Sequence, residues 1–348
     1  MEPGNQREQQ PNPRHSNALL NQPAFWARAR REKQTRLSVF GEILRFTLVY
    51  IVGSILESLL LAIPMSYAVF QSLNLGIFDG AIRAGDVQKL AMQMLNAMPD
   101  WMTIAALFST AGLGAAAVFY CRKIERRSIG SMGLSRRGVI SETAAGLLAG
   151  MLLFAGVILI GKQLGAFSLA RIMPGNRELL LLVLALIASL VCGAARELML
   201  RGYLATSINA FLPVIPAVLS STMFSLLLAT GVAKPTLTVM GNMLLMNASL
   251  CILTIKRGSL WAAIGLHGGW LFCQGYLFGF RIPEDSNLGV FHVTSAEYRE
   301  LLTGGINGPD ASICATVLWI VVLAVVLALP QRHAASANGE SGQDAPID

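Results

Sequence analysis

The sequence has few charged residues for its length. Of 348 residues, 14% are charged and 54% are hydrophobic, and the mean hydropathy is +0.56. Because soluble domains carry roughly a quarter charged residues, this scarcity excludes an ordinary water-soluble enzyme and a disordered or collagen-like chain. CxxC spacing is also missing among the five cysteines, so neither a zinc ribbon nor a disulfide framework is supported. The apolar runs lack period-two alternation, which excludes a closed membrane barrel.

Long apolar runs dominate what is present. About 20 helical residues cross about 30 Å of hydrocarbon, and eight runs reach this length: 46–70, 101–120, 143–161, 179–195, 211–233, 235–255, 258–280 and 311–329. We therefore predict an all-α polytopic membrane protein with about eight transmembrane helices. Run 179–195 is short, and only Lys234 and Pro235 separate runs 211–233 and 235–255. A re-entrant pair over 211–255 is therefore an alternative to two spans.

The basic residues predict the orientation of this bundle. If successive runs alternate in direction, 19 of the 27 Lys and Arg residues fall on one side. Basic residues are enriched in cytoplasmic loops, so both termini are expected in the cytoplasm. Charges clustered between apolar runs are typical of membrane topology, not of a nucleic-acid-binding stripe, and no nucleic-acid partner is expected.

The apolar runs also divide the chain into regions. We predict a cytoplasmic polar and basic tail at residues 1–39. The N-terminal membrane helices, with a basic linker at 121–140, would occupy 40–178, and a core would follow at 179–280. The remainder would consist of an outer loop at 281–310, the last transmembrane helix at 311–329 and a cytoplasmic tail at 330–348. Residues 24–39 fit either a surface helix that binds anionic lipid or an anchor for the first span. Thr294 and Glu297 have capping-box spacing, which predicts a short helix in the outer loop.

Ionisable residues inside apolar runs are candidate functional residues, because each is costly in hydrocarbon. They are Glu57, Arg196, Glu197, Arg201 and His267, with Asn242 and Asn247 as further polar groups. Glu197 and Arg201 are four residues apart and can pair on one helix face, whereas Arg196 points elsewhere. Glu57 needs a partner, for which Arg196 and Arg201 are the candidates. An imidazole beside a carboxylate could do acid–base chemistry or bind metal, or could be a simple interhelical hydrogen bond.

Glycine pairs predict where helices cross closely. GxxxG spacing occurs at Gly146/Gly150, Gly265/Gly269 and Gly275/Gly279. Small residues at this spacing let two membrane helices approach to backbone contact. No internal repeat is apparent, although repeated halves are typical of many transporters.

Three short motifs, in order, resemble a known family. Residues 196–204, RELMLRGYL, resemble the EExxxRGxL signature of the type II CAAX prenyl endopeptidases, within the CPBP or Abi group of intramembrane proteases. Residues 258–267 resemble the segment that leads into that family's HxxxN motif. Residues 220–224, which end at Phe224, resemble the start of its FxxxH motif. The resemblance is best over about 180–275, which makes 179–280 a CAAX-protease-like core. It implies a cavity open to the cytoplasm, in which a glutamate activates water for peptide cleavage.

The motifs are incomplete in this chain. By resemblance, the catalytic candidates are Glu197, Arg201 and His267, while the cavity or a charge cluster would include Glu57, Arg196 and Phe224. Arg196, Leu228 and Leu271 stand where the family has a glutamate, a histidine and an asparagine. Arginine cannot serve as a general base because it stays protonated. Metal ligation would fall to Glu197 and His267 alone, whereas catalytic zinc usually has three protein ligands, so a divalent metal such as zinc is poorly supported.

Three functions stay open on the sequence. The first is a member of this family with impaired or lost peptidase activity, which the missing motif residues favour. The second is an active endopeptidase that uses Glu197 and His267, and the third is a membrane transporter. Membrane lipids and a peptide or lipid-modified protein are the expected partners. The family resemblance and the topology together favour a bacterial plasma (inner) membrane.

Overall fold

A computed structural model of the chain describes residues 20–33, 38–74, 99–227, 235–280 and 288–332. The structure is mostly helical, at 77%. Several motif and topology residues lie outside the described parts, namely Leu228, Lys234 and the tails 1–19 and 333–348. Predictions for them therefore stay predictions.

The described residues form twelve α-helices. They are α1 (Ala24–Glu32), α2 (Val39–Asn74), α3 (Trp101–Ser109), α4 (Ala111–Phe119), α5 (Val139–Gln163), α6 (Asn176–Glu197), α7 (Thr206–Asn209), α8 (Val214–Leu227), α9 (Leu237–Arg257), α10 (Trp261–Phe272), α11 (Glu300–Thr303) and α12 (Ile313–Ala328). Three π-helical segments continue α4, α6 and α10: Tyr120–Ile124, Leu198–Ala205 and Cys273–Leu277.

Five helical runs within the described residues are long and apolar enough to cross a membrane. They are Val39–Asn74, Trp101–Ile124, Val139–Gln163, Asn176–Asn209 and Leu237–Arg257. Two shorter apolar helices, α8 and α12, accompany them. Each predicted apolar run overlaps a helix, so a mostly helical membrane protein is confirmed, with one two-stranded sheet in addition. The count of eight, the orientation of the termini and the choice between two spans and a re-entrant pair over 211–255 stay predictions.

Helices α5 and α10 cross at two of the predicted glycine pairs. A Cβ added to Gly146 or Gly150 would lie 2.2 or 2.1 Å from a backbone oxygen of α10, and one added to Gly265 or Gly269 would lie 2.1 Å from a backbone oxygen of α5. Only glycine permits this backbone contact. The third pair differs, because Gly279 lies beyond the helical end at Leu277 with φ 73°.

The outer loop contains a strand where the capping-box spacing predicted a helix start. Strand β1 (Phe167–Arg171) pairs antiparallel with β2 (Phe291–Ser295), and Thr294 lies opposite Ser168 in this ladder. The short helix begins later, at Glu300. The prediction at Thr294 was wrong because pairing with β1 satisfies the backbone that a local cap would otherwise satisfy.

Helix α1 packs its apolar face on protein, and both interpretations of residues 24–39 stay predictions. Its apolar residues Phe25, Trp26 and Ala29 are buried, and Glu32 accepts hydrogen bonds from the backbone N and Oγ of Ser128, at 2.8 and 3.0 Å. These contacts fix α1 against the linker that follows α4.

Beside α1 lies a group of four buried charges, which we call the linker cluster: Lys33, Glu42, Glu125 and Arg127. Lys33 Nζ lies 2.6 Å from Glu42 Oε2 and 3.1 Å from Glu125 Oε1, and Arg127 Nε lies 3.3 Å from Glu125 Oε2. All four side chains are fully buried. Lys33 therefore joins the end of α1 to the start of α2 and to the linker.

Candidate functional site

The candidate site forms where α6 ends and the π-helical segment Leu198–Ala205 begins. Glu197 is the last residue of α6, and Arg201 lies in the π-helical segment. Arg201 Nη1 donates to Glu197 Oε1 at 3.1 Å, and both side chains are fully buried. The predicted pairing of Glu197 with Arg201 therefore agrees with the geometry, although the helix that carries Arg201 is π-type. Such segments occur frequently at functional sites.

His267 approaches the same carboxylate from a different helix. It lies in α10, and its Nδ1 atom is 2.8 Å from Glu197 Oε1. The contact depends on a close approach of α6 and α10, since a Cβ on Gly193 would lie 3.0 Å from the backbone N of Gly268. One carboxylate oxygen thus bonds both a guanidinium and an imidazole.

Asn247 of α9 is the fourth member of the group. Arg201 Nη2 donates to the backbone oxygen of Asn247 at 2.9 Å and to its Oδ1 at 2.7 Å. The Nδ2 of Asn247 donates to Met243 O within α9 at 2.8 Å. The sequence marks Asn247 only as a polar residue in an apolar run, without a partner. We call Glu197, Arg201, Asn247 and His267 the interhelical cluster, because they tie α6, α9 and α10 together.

The cluster still has hydrogen-bonding capacity that the described residues leave unused. Glu197 Oε2 and Arg201 Nε are buried and have no hydrogen-bond partner among the described residues. A buried carboxylate oxygen without a donor is costly, so Oε2 is an acceptor available to a water molecule or a ligand group.

Arg196 is half-buried, and its charge acts on Glu57 of α2 and also on Glu197 and His267. Helix α4 lies between α2 and α6, because a Cβ on Gly112 would lie 2.7 Å from the backbone N of Glu57 and one on Gly114 would lie 3.1 Å from the Cα of Ala195. The pairing of Glu57 with Arg196 and the predicted orientation of Arg196 therefore stay predictions.

Phe224 lies among aromatic side chains, separate from the interhelical cluster. Its ring packs edge-on against Phe46 at 5.7 Å, and Phe46 in turn lies 5.9 Å from Tyr203. Among its described contacts, Phe224 thus packs in the apolar core. Its predicted place in a substrate cavity stays untested.

Leu271 packs in an apolar environment. It is 4% exposed and belongs to a buried group with Ile104, Leu107 and Leu182. A leucine there offers neither a donor nor a lone pair, so the position that corresponds to the family's asparagine supplies no polar group.

The donor set does not fit a metal ion. Within the described part of the chain, no three His, Cys, Asp or Glu side chains come together in a metal-binding arrangement. Glu197 and His267 are two ligand-type groups, and Glu197 Oε1 already lies 2.8 Å from His267 Nδ1. The site is better described by hydrogen bonds and ion pairing than by coordination.

These features define an integral membrane protein of apolar helices with a buried polar cluster at its centre. The comparison with known families identifies the relationship: residues 178–273 match the family model described as type II CAAX prenyl endopeptidase Rce1-like. This match confirms the resemblance carried by the motifs and covers α6 through α10, which hold the whole interhelical cluster. A search of curated proteins and a search of solved structures both found no match.

Proposed function

We propose that this chain is a CPBP-type, CAAX-prenyl-protease-like integral membrane protein whose peptidase activity is impaired or lost. In this role it would bind a peptide or a lipid-modified protein without cleaving it efficiently. The proposal includes eight transmembrane helices, both termini in the cytoplasm, and a bacterial plasma (inner) membrane, where membrane lipids surround the chain.

One observation carries this proposal: the carboxylate of Glu197 is fully buried and already engaged by two neighbours. Oε1 is bonded by Arg201 and lies 2.8 Å from His267 Nδ1. A general base must be within hydrogen-bond reach of the proton that it takes, and a carboxylate stabilised by a guanidinium is a weaker base. The cluster therefore acts first as a link between helices.

The replaced motif residues point the same way. Arg196 cannot take a proton, and Leu271 packs in an apolar group. Loss of a single oxyanion-stabilising donor typically lowers the rate by about 100- to 1000-fold. Leu271 is one such replacement, and Arg196 in addition removes a carboxylate that could take a proton, so cleavage should be very slow.

A second candidate function is an active endopeptidase, and the unpaired Oε2 of Glu197 favours it. In this mechanism Oε2 would accept a proton from a water molecule, and that water would attack the carbonyl carbon of the peptide. Arg201 would hold the carboxylate in place through Oε1. His267 would donate from Nδ1 to Oε1, which orients its ring. The proton that Oε2 takes from the water would then pass to the nitrogen of the leaving amine as the C–N bond breaks.

The test is a cleavage assay in liposomes with prenylated and unmodified peptide panels. We expect no cleavage by the wild-type chain, and cleavage by the triple variant Arg196→Glu, Leu228→His, Leu271→Asn, which restores the family's polar residues. Glu197→Ala in the triple-variant background should abolish the restored activity. Each variant is checked for a cooperative thermal unfolding transition before the assay, because Glu197→Ala leaves Arg201 buried without its ion pair and should be less stable.

Glu178→Ala is the matched control, because Glu178 lies in the first turn of the same helix as Glu197, at its other end. The proposal would be contradicted if the wild-type chain cleaved a peptide, if Glu197→Ala and His267→Ala both lost this activity, and if Glu178→Ala kept it. It would establish the active endopeptidase instead.

A further inference from the structure

The interhelical cluster is closed to the surroundings of the protein. The side chains of Glu197 and Arg201 are fully buried, and that of His267 is 7% exposed. Glu197 lies twelve residues before the end of its helical run at Asn209 and 21 residues after its start at Asn176. The shorter way along the helix from the carboxylate to the outside is therefore toward Asn209.

Helix α1 packs against that end of the bundle. Gln22, in the segment before α1, donates from Nε2 to Asn209 Oδ1 at 2.7 Å. On the apolar face of α1, the ring of Phe25 would lie 3.0 Å from a Cβ on Gly133. The backbone oxygen of Gly133 accepts from the backbone N of Leu260, just before α10, at 3.0 Å. Helix α1 therefore lies where α7 ends and α10 begins.

The linker between α4 and α5 forms a layer between α1 and the π-helical segment Leu198–Ala205. We call residues 128–133 of this linker the cover segment. A Cβ on Gly202 would lie 3.0 Å from the backbone oxygen of Met132, so the cover segment touches the π-helical segment. Because Gly202 follows Glu197 by five residues, this contact is about 7 Å along the helix from the carboxylate. The cover segment therefore closes the cluster at this end.

Helix α1 holds the cover segment in place through contacts at both of its ends. Glu32 accepts from the backbone N and the Oγ of Ser128, where the cover segment begins. Just before it, Glu125 Oε1 lies 3.1 Å from Lys33 Nζ. Phe25 packs on the other end of the cover segment. Release of α1 would therefore remove support from the whole segment.

We propose that α1 is a strap that keeps the cover segment closed over the interhelical cluster, and that a ligand reaches the cluster when α1 is released. The proposal rests on the proposed function, since it takes a peptide as that ligand. Helix α1 has nine residues, and a short element outside the long helices can open locally at a lower free energy than global unfolding. A closed strap lowers the apparent affinity for the ligand, because only the open fraction binds.

The test measures access to the cluster through a cysteine of the chain. Cys251 lies one turn after Asn247 in α9, is 1% exposed and interacts with the side chain of Arg201. Its labelling by N-ethylmaleimide in detergent, measured at this residue by mass spectrometry of the full chain, reports opening of the cluster. Cys314 is the internal control for unfolding. It is 3% exposed and lies in the first turn of α12, which is hydrogen-bonded near the start of α9, away from α1.

Three variants of α1 test the strap. Ala29 is fully buried, so Ala29→Glu should release α1 and raise the labelling rate of Cys251 about tenfold, with that of Cys314 unchanged. Glu32→Ala removes the contact with Ser128 and should raise the rate about threefold. Ala24→Glu is the matched control, because it makes the same change at an exposed position of the same helix. It should change the rate less than about twofold.

The same variants are titrated with a fluorescent farnesylated peptide, and Ala29→Glu should lower the apparent Kd about as much as it raises labelling. Equal labelling of Cys251 in the wild-type chain and Ala29→Glu, or equal effects of Ala29→Glu and Ala24→Glu, would overturn the strap. If Ala29→Glu exposes both cysteines, Glu32→Ala decides, and an unchanged Cys251 rate in that variant would overturn the strap. Faster labelling of Cys251 without peptide binding in any variant would support the strap and contradict the proposed function.

Discussion

Two groups of buried charges lie close to the same short π-helical segment, and they are built in opposite ways. In the linker cluster one cation, Lys33, lies between two carboxylates. In the interhelical cluster one carboxylate, Glu197, lies between Arg201 and His267. The segment touches both, since Arg201 belongs to the second cluster while the backbone oxygen of Gly202 accepts from Arg127 of the first at 3.2 Å.

The two clusters differ in which charged group lies at the centre and which groups surround it. The linker cluster joins elements from three parts of the chain, and its two carboxylates are paired with two buried cations, Lys33 and Arg127. The interhelical cluster has one carboxylate between Arg201 and His267. Carboxylate oxygens without a hydrogen-bond partner among the described residues occur in both clusters: Glu197 Oε2 in the interhelical cluster, and Glu42 Oε1 and both oxygens of Glu125 in the linker cluster. The two clusters therefore differ in the sign of the charge at their centre, and not in whether an acceptor is left over.

The largest expected effect comes from Lys33→Met. This change breaks two buried ion pairs at once, after which Glu125 keeps Arg127 at 3.3 Å and Glu42 keeps only the partly exposed Arg45 at 3.8 Å. Breaking a buried ion pair costs about 3–5 kcal/mol. The melting temperature of the chain in detergent should fall steeply. Arg31→Met, which changes an exposed cation on the same helix, is the control and should leave the melting temperature nearly unchanged. Equal melting temperatures for the two variants would show that the linker cluster contributes little to folding.

Arg201→Met should have the next largest effect and lower the free energy of unfolding by about 3 kcal/mol. The loss is smaller because His267 remains beside Glu197 and partly compensates for the missing guanidinium. The double variant Glu197→Gln, Arg201→Met should be more stable than Arg201→Met alone, since no charge is then stranded. A double-mutant cycle on thermal unfolding measures this coupling. Strictly additive effects would mean that the two side chains do not interact.

The smallest effect is expected for Arg332→Gln, which breaks a more exposed ion pair. Arg332 contacts Glu142 through a side chain that is 54% exposed, and Glu142 keeps Arg257 at 3.0 Å and Ser259 at 2.6 Å. Exposed pairs contribute about 0–1 kcal/mol and weaken with salt. The loss in unfolding free energy should therefore disappear at high ionic strength. If Arg332→Gln lowered the free energy of unfolding as much as Lys33→Met, burial would not explain the order of these effects.

Local features of the site could be predicted from the sequence. The four-residue spacing of Glu197 and Arg201 predicted their ion pair, and two GxxxG pairs predicted close helix crossings, which the structure places between α5 and α10. These features depend on helical periodicity and on side-chain size, which the sequence contains.

Partners far apart in the chain could not be predicted from spacing. The family resemblance grouped His267 with Glu197, 70 residues apart, whereas nothing in the sequence indicated that Asn247 meets Arg201 across 46 residues. Their meeting depends on how α6, α9 and α10 are rotated and how closely they pack. The π-helical segment and the buried position of α1 could not be predicted either, because neither has a distinctive residue pattern.

The sequence by itself determined that this protein belongs in a lipid bilayer, and it determined which residues share a helix face. Both follow from hydropathy and helical spacing, which depend on residues close together in the chain. It determined that the chain spans a membrane and which charges lie in apolar runs. Only the tertiary structure decided which of those charges meet, because a buried ionic group takes its partner from whichever helix packs against it. That choice made Glu197 the centre of one cluster and Lys33 the centre of the other.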